Sequence, residues 1–492
     1  MTKARFSLLL LCLLPFVVAL RFGISASAQT TSDPILGAWS GQLRHDGETQ
    51  RMALRFELDD KKALVVSFDQ PDMKFYNLGP GPVEKHGDEY TAPPMTFRLT
   101  PDGKKIVGTM SFDGNDVSFE LTPGTPPVPE AAKPFEGRIA QPVWTFKTGG
   151  AIWSSPAVDG SSLYFGSNDG NMYALKADNG KSLWEKKTGG WVMGRPTIEG
   201  EYLYVLSDDG FLYKLGKKTG KTVWQFDTHG GGVKRDMPPN ASALDCLGAS
   251  ATVAGYTVYI GSGDKNFYAV DTKTGREKWR FETKDIIRST PAVAGGTVFF
   301  GSGDHNVYAL DAKTGTLKWK VDTFREVVSS PLVVDGTVYI GSRSSNLYAL
   351  DAATGQTKWK FFYWTSFVDS STTMRDGILY VGSSDYQKLF AIKAADGKKV
   401  WDFDTEGSSW STPAVTDKLV YVGAVGSKSD YMTHYGAFFA VDRATGKLVW
   451  RYPMSELSNY PTYGVASSPA VDHGFVYFGG LDGTFYAFRQ GG

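Results

Sequence analysis

Between residues 141 and 490 the chain alternates apolar and polar positions in short runs, and each run ends at a turn rich in Gly or Asp. Alternation with a period of two marks half-buried strands. The unit that ends in Trp319 shows the pattern. Residues 290–293 and 297–300 are separated by Gly295 and Gly296. Residues 307–310 follow a turn through Gly301 and Asp304, and residues 317–321 follow a turn over 311–315. Connections this short force neighbouring strands to run antiparallel. Asp311 can hold backbone amides across its turn, and Gly315 can take the left-handed conformation that a bulged hairpin needs.

The unit recurs. Trp144, Trp184, Trp224, Trp279, Trp319, Trp359, Trp401 and Trp450 are spaced by 40, 40, 55, 40, 40, 42 and 49 residues. Four of them follow a turn of the form Asp-x-x-Thr-Gly-x-x-x-Trp, at 271–279, 311–319, 351–359 and 442–450, and earlier copies are looser. Four short strands repeated at this period, rich in Gly and aromatic residues, predict propeller blades. One blade cannot bury both faces, whereas a closed ring of blades can. The recurring indole is then a structural wedge between neighbours. First strands begin near Trp153, Met193, Gly248, Arg288, Val328, Asp369, Trp410 and Ala466, which gives eight blades. The last copy stops after its third strand and lacks a Trp, so residues 142–147 should complete it and latch the ring.

Residues 33–123 lack the Trp ladder but alternate in the same way, clearest at 52–58. They predict a small antiparallel β-domain, partly closed. Five prolines within 123–134 mark residues 124–140 as a linker. The expected fold class is all-β: an eight-bladed propeller over 141–490, preceded by the small β-domain. Residues 1–28 read as a signal peptide, with Lys3 and Arg5, an apolar run over 6–20 and Ala26-Ser27-Ala28 for cleavage. That run is shorter than a bilayer span, which disfavours an uncleaved anchor. A periplasmic or secreted location is expected, with no transmembrane segment in the mature chain. Cys12 would be removed, leaving Cys246 and no internal disulfide.

Basic and acidic residues number 52 each, which argues against a nucleic-acid partner held by a basic surface. The partner classes left are an envelope protein or a small-molecule ligand. In such blades, the links from fourth to first strand and from second to third open on one face. Trp153, Trp191, Trp364 and Trp410 all fall in links between blades, as do Arg195, Arg288, Arg325, Asp369, Tyr460 and Tyr463. The two largest insertions, 229–248 and 424–436, map there too, the second carrying Asp430, Tyr431 and His434. Aromatics with arginines suit a planar or anionic ligand, or a peptide. The plainer reading is that they plug the channel and brace loops. No catalytic residue and no metal site is assigned. The chain has no Cys-x-x-Cys, His-Glu-x-x-His, Gly-x-Ser-x-Gly or Walker loop, and its six histidines are scattered.

The Trp ladder with its Asp-x-x-Thr-Gly turn resembles the PQQ-repeat propeller family over about residues 141–490. That family includes BamB of the outer-membrane barrel assembly machine, and dehydrogenases that hold pyrroloquinoline quinone (PQQ) beside calcium. Those dehydrogenases place an adjacent Cys-Cys ring against the cofactor, and this chain has no Cys-Cys. Their calcium-binding Glu, Asn and Asp have no match here, and Asp369 and Asp245 are carboxylates without an assignable role. The resemblance implies a non-catalytic binding or assembly scaffold in the envelope, with no cofactor. The alternative is a PQQ-dependent alcohol or sugar dehydrogenase with a divergent site, in which case PQQ and calcium would bind.

Overall fold

A computed structural model describes residues 33–125, 128, 137–228, 248–364, 366–428, 433–458 and 461–492. The signal segment, Cys246, Asp245, Asp430, Tyr431, Tyr460 and most of the 229–248 insertion lie outside the described residues. The chain divides into two compact units, one ending at Phe135 and one starting at Glu136.

The first unit is a nearly closed antiparallel sheet of nine strands. They are β1 (Gly37–His45), β2 (Glu48–Leu58), β3 (Leu64–Gln70), β4 (Phe75–Pro82), β5 (Glu84–His86), β6 (Glu89–Ala92), β7 (Met95–Leu99), β8 (Ile106–Phe112) and β9 (Asn115–Pro123). The order is β4-β3-β2-β1-β9-β8-β7-β6-β5, so β1 pairs with both β2 and β9. The inward positions bury Trp39, Leu54, Phe56, Phe97, Phe119 and Leu121. Phe97 is the hub, with ring centroids 5.4 Å from Phe56 and 5.6 Å from Tyr90. The sequence pattern missed β4 to β6. Gly79, Pro80, Gly81 and Pro82 show no apolar–polar alternation, yet β4 is an edge strand, where missing ladder donors are tolerated.

The second unit is the eight-bladed propeller. The first blade comprises Ala157–Asp159, Ser162–Gly166, Asn171–Lys176 and Ser182–Lys187, paired in sequence order. The second and third strands are buried almost throughout, and the fourth alternates exposed and half-buried positions. The last blade is closed by Trp144–Lys147, which pairs antiparallel to Thr484–Arg489. The amino-terminal end of the propeller therefore supplies the outer strand of its carboxy-terminal blade, and closure removes the ring's free ends.

All eight ladder indoles do the same two things. Each Nε1–H donates to a backbone carbonyl in the following blade, as Trp144 does to Ala177 at 3.2 Å and Trp279 to Ala312 at 3.2 Å. Trp184, Trp224, Trp319, Trp359, Trp401 and Trp450 do so at 3.0–3.1 Å. Each ring also lies against a glycine. A Cβ at Gly315 would stand 2.6 Å from Trp279 Cε3, so only hydrogen fits there. Asp311 holds the turn beneath by accepting from the N–H of Lys313 and of Thr314, at 3.0 and 2.9 Å.

Three details differ from the sequence pattern. First strands start about four residues later than expected, at Ala157, Thr197, Thr252, Ala292, Leu332, Thr373, Ala414 and Ala470. Trp153 and its seven counterparts therefore sit in irregular links. Arg138–Ile139, within the stretch read as a linker, pairs parallel to Leu448–Pro453 and adds a strand to the seventh blade. In that blade the second strand runs over Leu419–Lys428 and pairs with Thr462–Gly464, so the first part of the 424–436 insertion is sheet.

Candidate functional site on the propeller axis

In the first, second and fourth blades the incoming link and the second-to-third-strand turn are tied together, which puts both on one face. The tie is a repeated acid. Asp169, Asp209 and Asp304 accept the N–H of Gly149, Gly189 and Lys284 at 2.8, 2.7 and 2.9 Å. The same acids, with Asp264 and Asp482, accept a phenol four residues on, from Tyr173, Tyr213, Tyr308, Tyr268 and Tyr486, at 2.5–2.7 Å. Burial and the adjacent carboxylate push these phenols well above their usual range. Burial would raise Asp304, but the Tyr308 phenol and the Lys284 amide win, and its carboxyl sits below the ordinary range. These residues are rivets, with their protons fixed by structure.

Inside this face lies a channel of about 760 Å³ along the axis. Each blade contributes a collar residue to its lining: Trp153, Met193, Gly248, Arg288, then Val328, Asp369, Trp410 and Ala466. The collar is lopsided. Trp410 and Trp153 come from the seventh and first blades, and the small Ala466 of the eighth lets them stack, with centroids 6.3 Å apart and planes 17° from parallel. Trp153 belongs to an apolar cluster with Met193, Ala466 and Leu481, against which Trp410 and Trp191 pack. On the next blade from Trp410, Asp369 accepts a two-pronged hydrogen bond from Arg343, Nε to Oδ1 at 3.0 Å and Nη2 to Oδ2 at 3.1 Å. The pair is almost wholly buried. Half-buried Asp385 stands near it. Burial pushes the Asp385 carboxyl up to about 7, the charge of Asp369 adds to this, and backbone amides and Arg343 oppose it.

Two residues after each collar position is a waist. Arg195, Ser250, Thr290 and Ser330 each donate their N–H to the hydroxyl of the next blade's residue, at 2.8, 3.0, 3.0 and 2.8 Å. Across the ring, Thr412 donates to Ser468 and Ser468 to Ser155, both at 2.9 Å. Seven waist positions carry a hydroxyl and line the channel; the second blade carries Arg195 instead.

A family model described as "Outer membrane protein assembly factor BamB" matches residues 138–283, 234–361 and 363–492, more than half of the chain. The chain belongs to this PQQ-repeat propeller family. Among solved structures, BamB from Moraxella catarrhalis superposes with a TM-score of 0.54 at 18% identity, over 71% of this chain and 100% of that one. A quinohemoprotein alcohol dehydrogenase, ADHIIG from Pseudomonas putida HK5, gives 0.54 at 15% identity, over 72% and 76%. Both likenesses show the fold. By sequence, the chain is 34% identical over 85 residues to 1-butanol dehydrogenase (quinone) of Thauera butanivorans, 17% of this chain and 13% of that protein. Quinoprotein alcohol dehydrogenase PedH of Pseudomonas putida is 29% identical over 121 residues, 23% and 18%. The matches thus span under a fifth of these relatives' own length.

Within this PQQ-repeat propeller, the residues singled out from sequence separate into groups. Trp153, Arg195, Arg288, Asp369 and Trp410 meet around the channel. Trp191 supports the indole pair. Four others lie off the axial lining. Trp364 is buried against Phe362, with centroids 5.8 Å apart. Arg325 is half-buried and its carbonyl accepts from Thr323. His434 and Tyr463 are buried in the seventh-blade extension, where His434 Nδ1 pairs with Ser408 at 3.3 Å and Tyr463 donates to the His434 carbonyl at 3.4 Å. Sequence reasoning missed Arg343 and Asp385, which sit in second-to-third-strand turns. Their signal was available: the turn position filled by Arg343 is Gly263 and Gly303 in the two preceding blades.

Proposed function

We propose that this propeller is an exported, non-catalytic scaffold that binds an envelope protein on its channel-mouth face. One observation carries the reading: the reactive groups at the collar are engaged with one another. Asp369 is held by Arg343 and the two indoles cover each other. The described residues also contain no cluster of three or more His, Cys, Asp or Glu that could hold a metal ion. A calcium ion with a quinone calls for free carboxylates and open planar walls, so the donor set present does not fit that pair. The description of the matched family as an outer membrane assembly factor supports a protein partner. Among the described residues, no helix is long and apolar enough to cross a membrane, and the sequence signals for export favour the periplasm.

The alternative, a PQQ-dependent alcohol or sugar dehydrogenase, is favoured by the identity to quinone-linked relatives, confined to short segments. One paired experiment separates the two. The full chain, wild type and Trp153→Ala/Trp410→Ala, is used as bait in envelope extract, and both proteins are incubated with PQQ and calcium. Partner capture by wild type that the double variant loses, with no dye-linked alcohol or sugar oxidation, is the expected result. Retained quinone with substrate oxidation would replace the scaffold reading with the enzymatic one.

A further inference from the structure

We propose that the second-to-third-strand turn of the sixth blade, residues 383–387, is a proton-controlled latch on the collar, in which loss of the Asp385 proton shifts the turn against the Arg343–Asp369 pair and carries Trp410 with it. The inference is independent of the scaffold reading, because it concerns how the collar is set and not what binds there. It starts from a copy that departs from the repeat. Asp385 comes three residues after Gly382, as Asp304 comes three after Gly301, so it is the turn acid of its blade. In five blades that acid is held by a phenol four residues on. The sixth blade removes this rivet twice over. Its turn runs over five residues between Ile378–Gly382 and Lys388–Lys393, where the fourth blade has four between Thr297–Gly301 and Asn306–Asp311. Its third strand also puts Phe390, opposite Val381, where the fourth blade puts Tyr308, opposite Phe300. The donors that Asp385 keeps are backbone amides.

The released acid faces one cation that is already engaged. Asp369, from the incoming link, is a second carboxylate, and Arg343, from the turn of the fifth blade, gives Nε and Nη2 to Asp369. One guanidinium thus serves two acids. On the same blade, Lys388 is paired with Asp402. The seventh-blade link touches the turn through Ser409, whose N–H donates to the Ser383 carbonyl at 2.9 Å, and through Trp410, and neither is charged. His434 reaches that link at Ser408. Burial and the charge of Asp369 push the Asp385 carboxyl up to about 7, whereas the riveted Asp304 lies below the ordinary range. On the acid side of this value the proton stays, and Arg343 serves Asp369 alone. On the alkaline side the proton passes to water, and the new charge is repelled by Asp369 and attracted by Arg343. The two-pronged pair holds its own geometry, so the turn is what shifts. The shift has a route to the collar. Trp410 Nε1 donates to the Oγ of Ser384, the neighbour of Asp385, at 3.0 Å, and the Trp410 indole is stacked on Trp153. Proton loss at the turn therefore changes how the indole pair is presented at the channel mouth.

The test is fluorine NMR of the full chain labelled with 5-fluorotryptophan, titrated from about pH 5.5 to about pH 8.5. Trp410→Phe and Trp153→Phe assign the two resonances. The Trp410 resonance should move with a midpoint near 7. That movement should vanish in Asp385→Asn, which keeps the shape of the protonated acid and holds the latch at its acid setting throughout. Ser384→Ala cuts the link to the indole and leaves the acid in place, so Trp410 should stay still while the pH dependence of unfolding that Asp385 confers remains. Thermal unfolding at about pH 5.5 checks that both variants fold. A wild-type Trp410 resonance that stays fixed across the range overturns the proposal. So does one that moves equally in Asp385→Asn, as it would if His434 drove it, or in Ser384→Ala. Movement of the ladder indoles as large as that of Trp410 would mark a global change and would overturn it as well.

Discussion

Gly315→Ala and Gly336→Ala should destabilise the propeller unequally, and the difference measures how the blades dock. Both glycines hold a left-handed backbone, with φ of +74° and +69°. An alanine there costs about 1–2 kcal/mol in conformation alone. At Gly336 nothing lies within 4 Å of the added methyl, so the cost ends there. At Gly315 the methyl would meet Trp279 Cε3 at 2.6 Å and Cδ2 at 2.7 Å. The indole has little room to retreat, because its Nε1–H is fixed on the Ala312 carbonyl and its ring packs on Tyr259 and Phe267. Overpacking of this kind adds about 1–3 kcal/mol. The assay is urea unfolding followed by fluorescence, with thermal midpoints as a check. A double-mutant cycle sharpens it: in a Trp279→Ala background the steric part vanishes, and Gly315→Ala should cost no more than Gly336→Ala. Equal costs for the two glycine variants in the wild-type background, or additivity with Trp279→Ala, would refute the wedge.

Three further outcomes are expected. Deleting residues 141–148 removes the outer strand of the last blade together with the Trp144 wedge, and the unfolding temperature should drop strongly; an unchanged midpoint would disprove the latch. Arg343→Ala leaves Asp369 buried without its cation and should cost about 3–5 kcal/mol at pH 7, with partial recovery in Arg343→Ala/Asp369→Asn, both read by thermal unfolding. Asp385 has a folded pKa near 7, pushed up by burial and by Asp369, against about 4 unfolded. The folded chain binds the extra proton between these values, so the contribution of Asp385 to stability falls as pH rises from 4 to 7. Asp385→Asn should therefore raise the unfolding midpoint at pH 8 relative to wild type and change it little at pH 4. A shift of equal size at both would remove the linkage.

The ring and its blade count were legible because the structure repeats its chemistry at a fixed interval. Trp, Asp-x-x-Thr-Gly and the alternating strands each recur, and one noisy copy is corrected by the others. The first strands were placed too early for a physical reason. Residues such as Trp153 and Val328 are apolar and read as strand, but they line the axis from links that make no ladder. The outer half of the first unit was hidden by Gly79 to Pro82, which an edge strand tolerates. The candidate site was half legible. Aromatic and charged residues outside the ladder pointed to the right links, yet sequence alone could not say which meet at the axis. Trp410 and Trp153 are 257 positions apart and touch only because the ring closes. Arg343 was passed over because it comes from the other kind of loop, and only the folded face brings the two kinds together.

In a fold built from copies, whatever all copies share is explained by the need to assemble them. The eight indoles are of this class, the turn aspartates and the five tyrosine rivets recur through several copies, and a chemical role for any one of them would have to explain the other members as well. Function has to be sought in the copies that depart. By that measure the second blade, which puts Arg195 where the others put a hydroxyl, and the fifth, which puts Arg343 where its two predecessors have glycine, are the informative ones. The two departures behave differently. Arg343 is matched by another, Asp369, and the pair closes on itself, so its effect is to shape the collar. Arg195 is matched by nothing among the described residues, in a channel whose remaining waist groups also have protons to give. Arg195 is exposed to the channel, so keeping its charge there costs little, and its departure from the ring changes what the channel presents rather than how the blades pack.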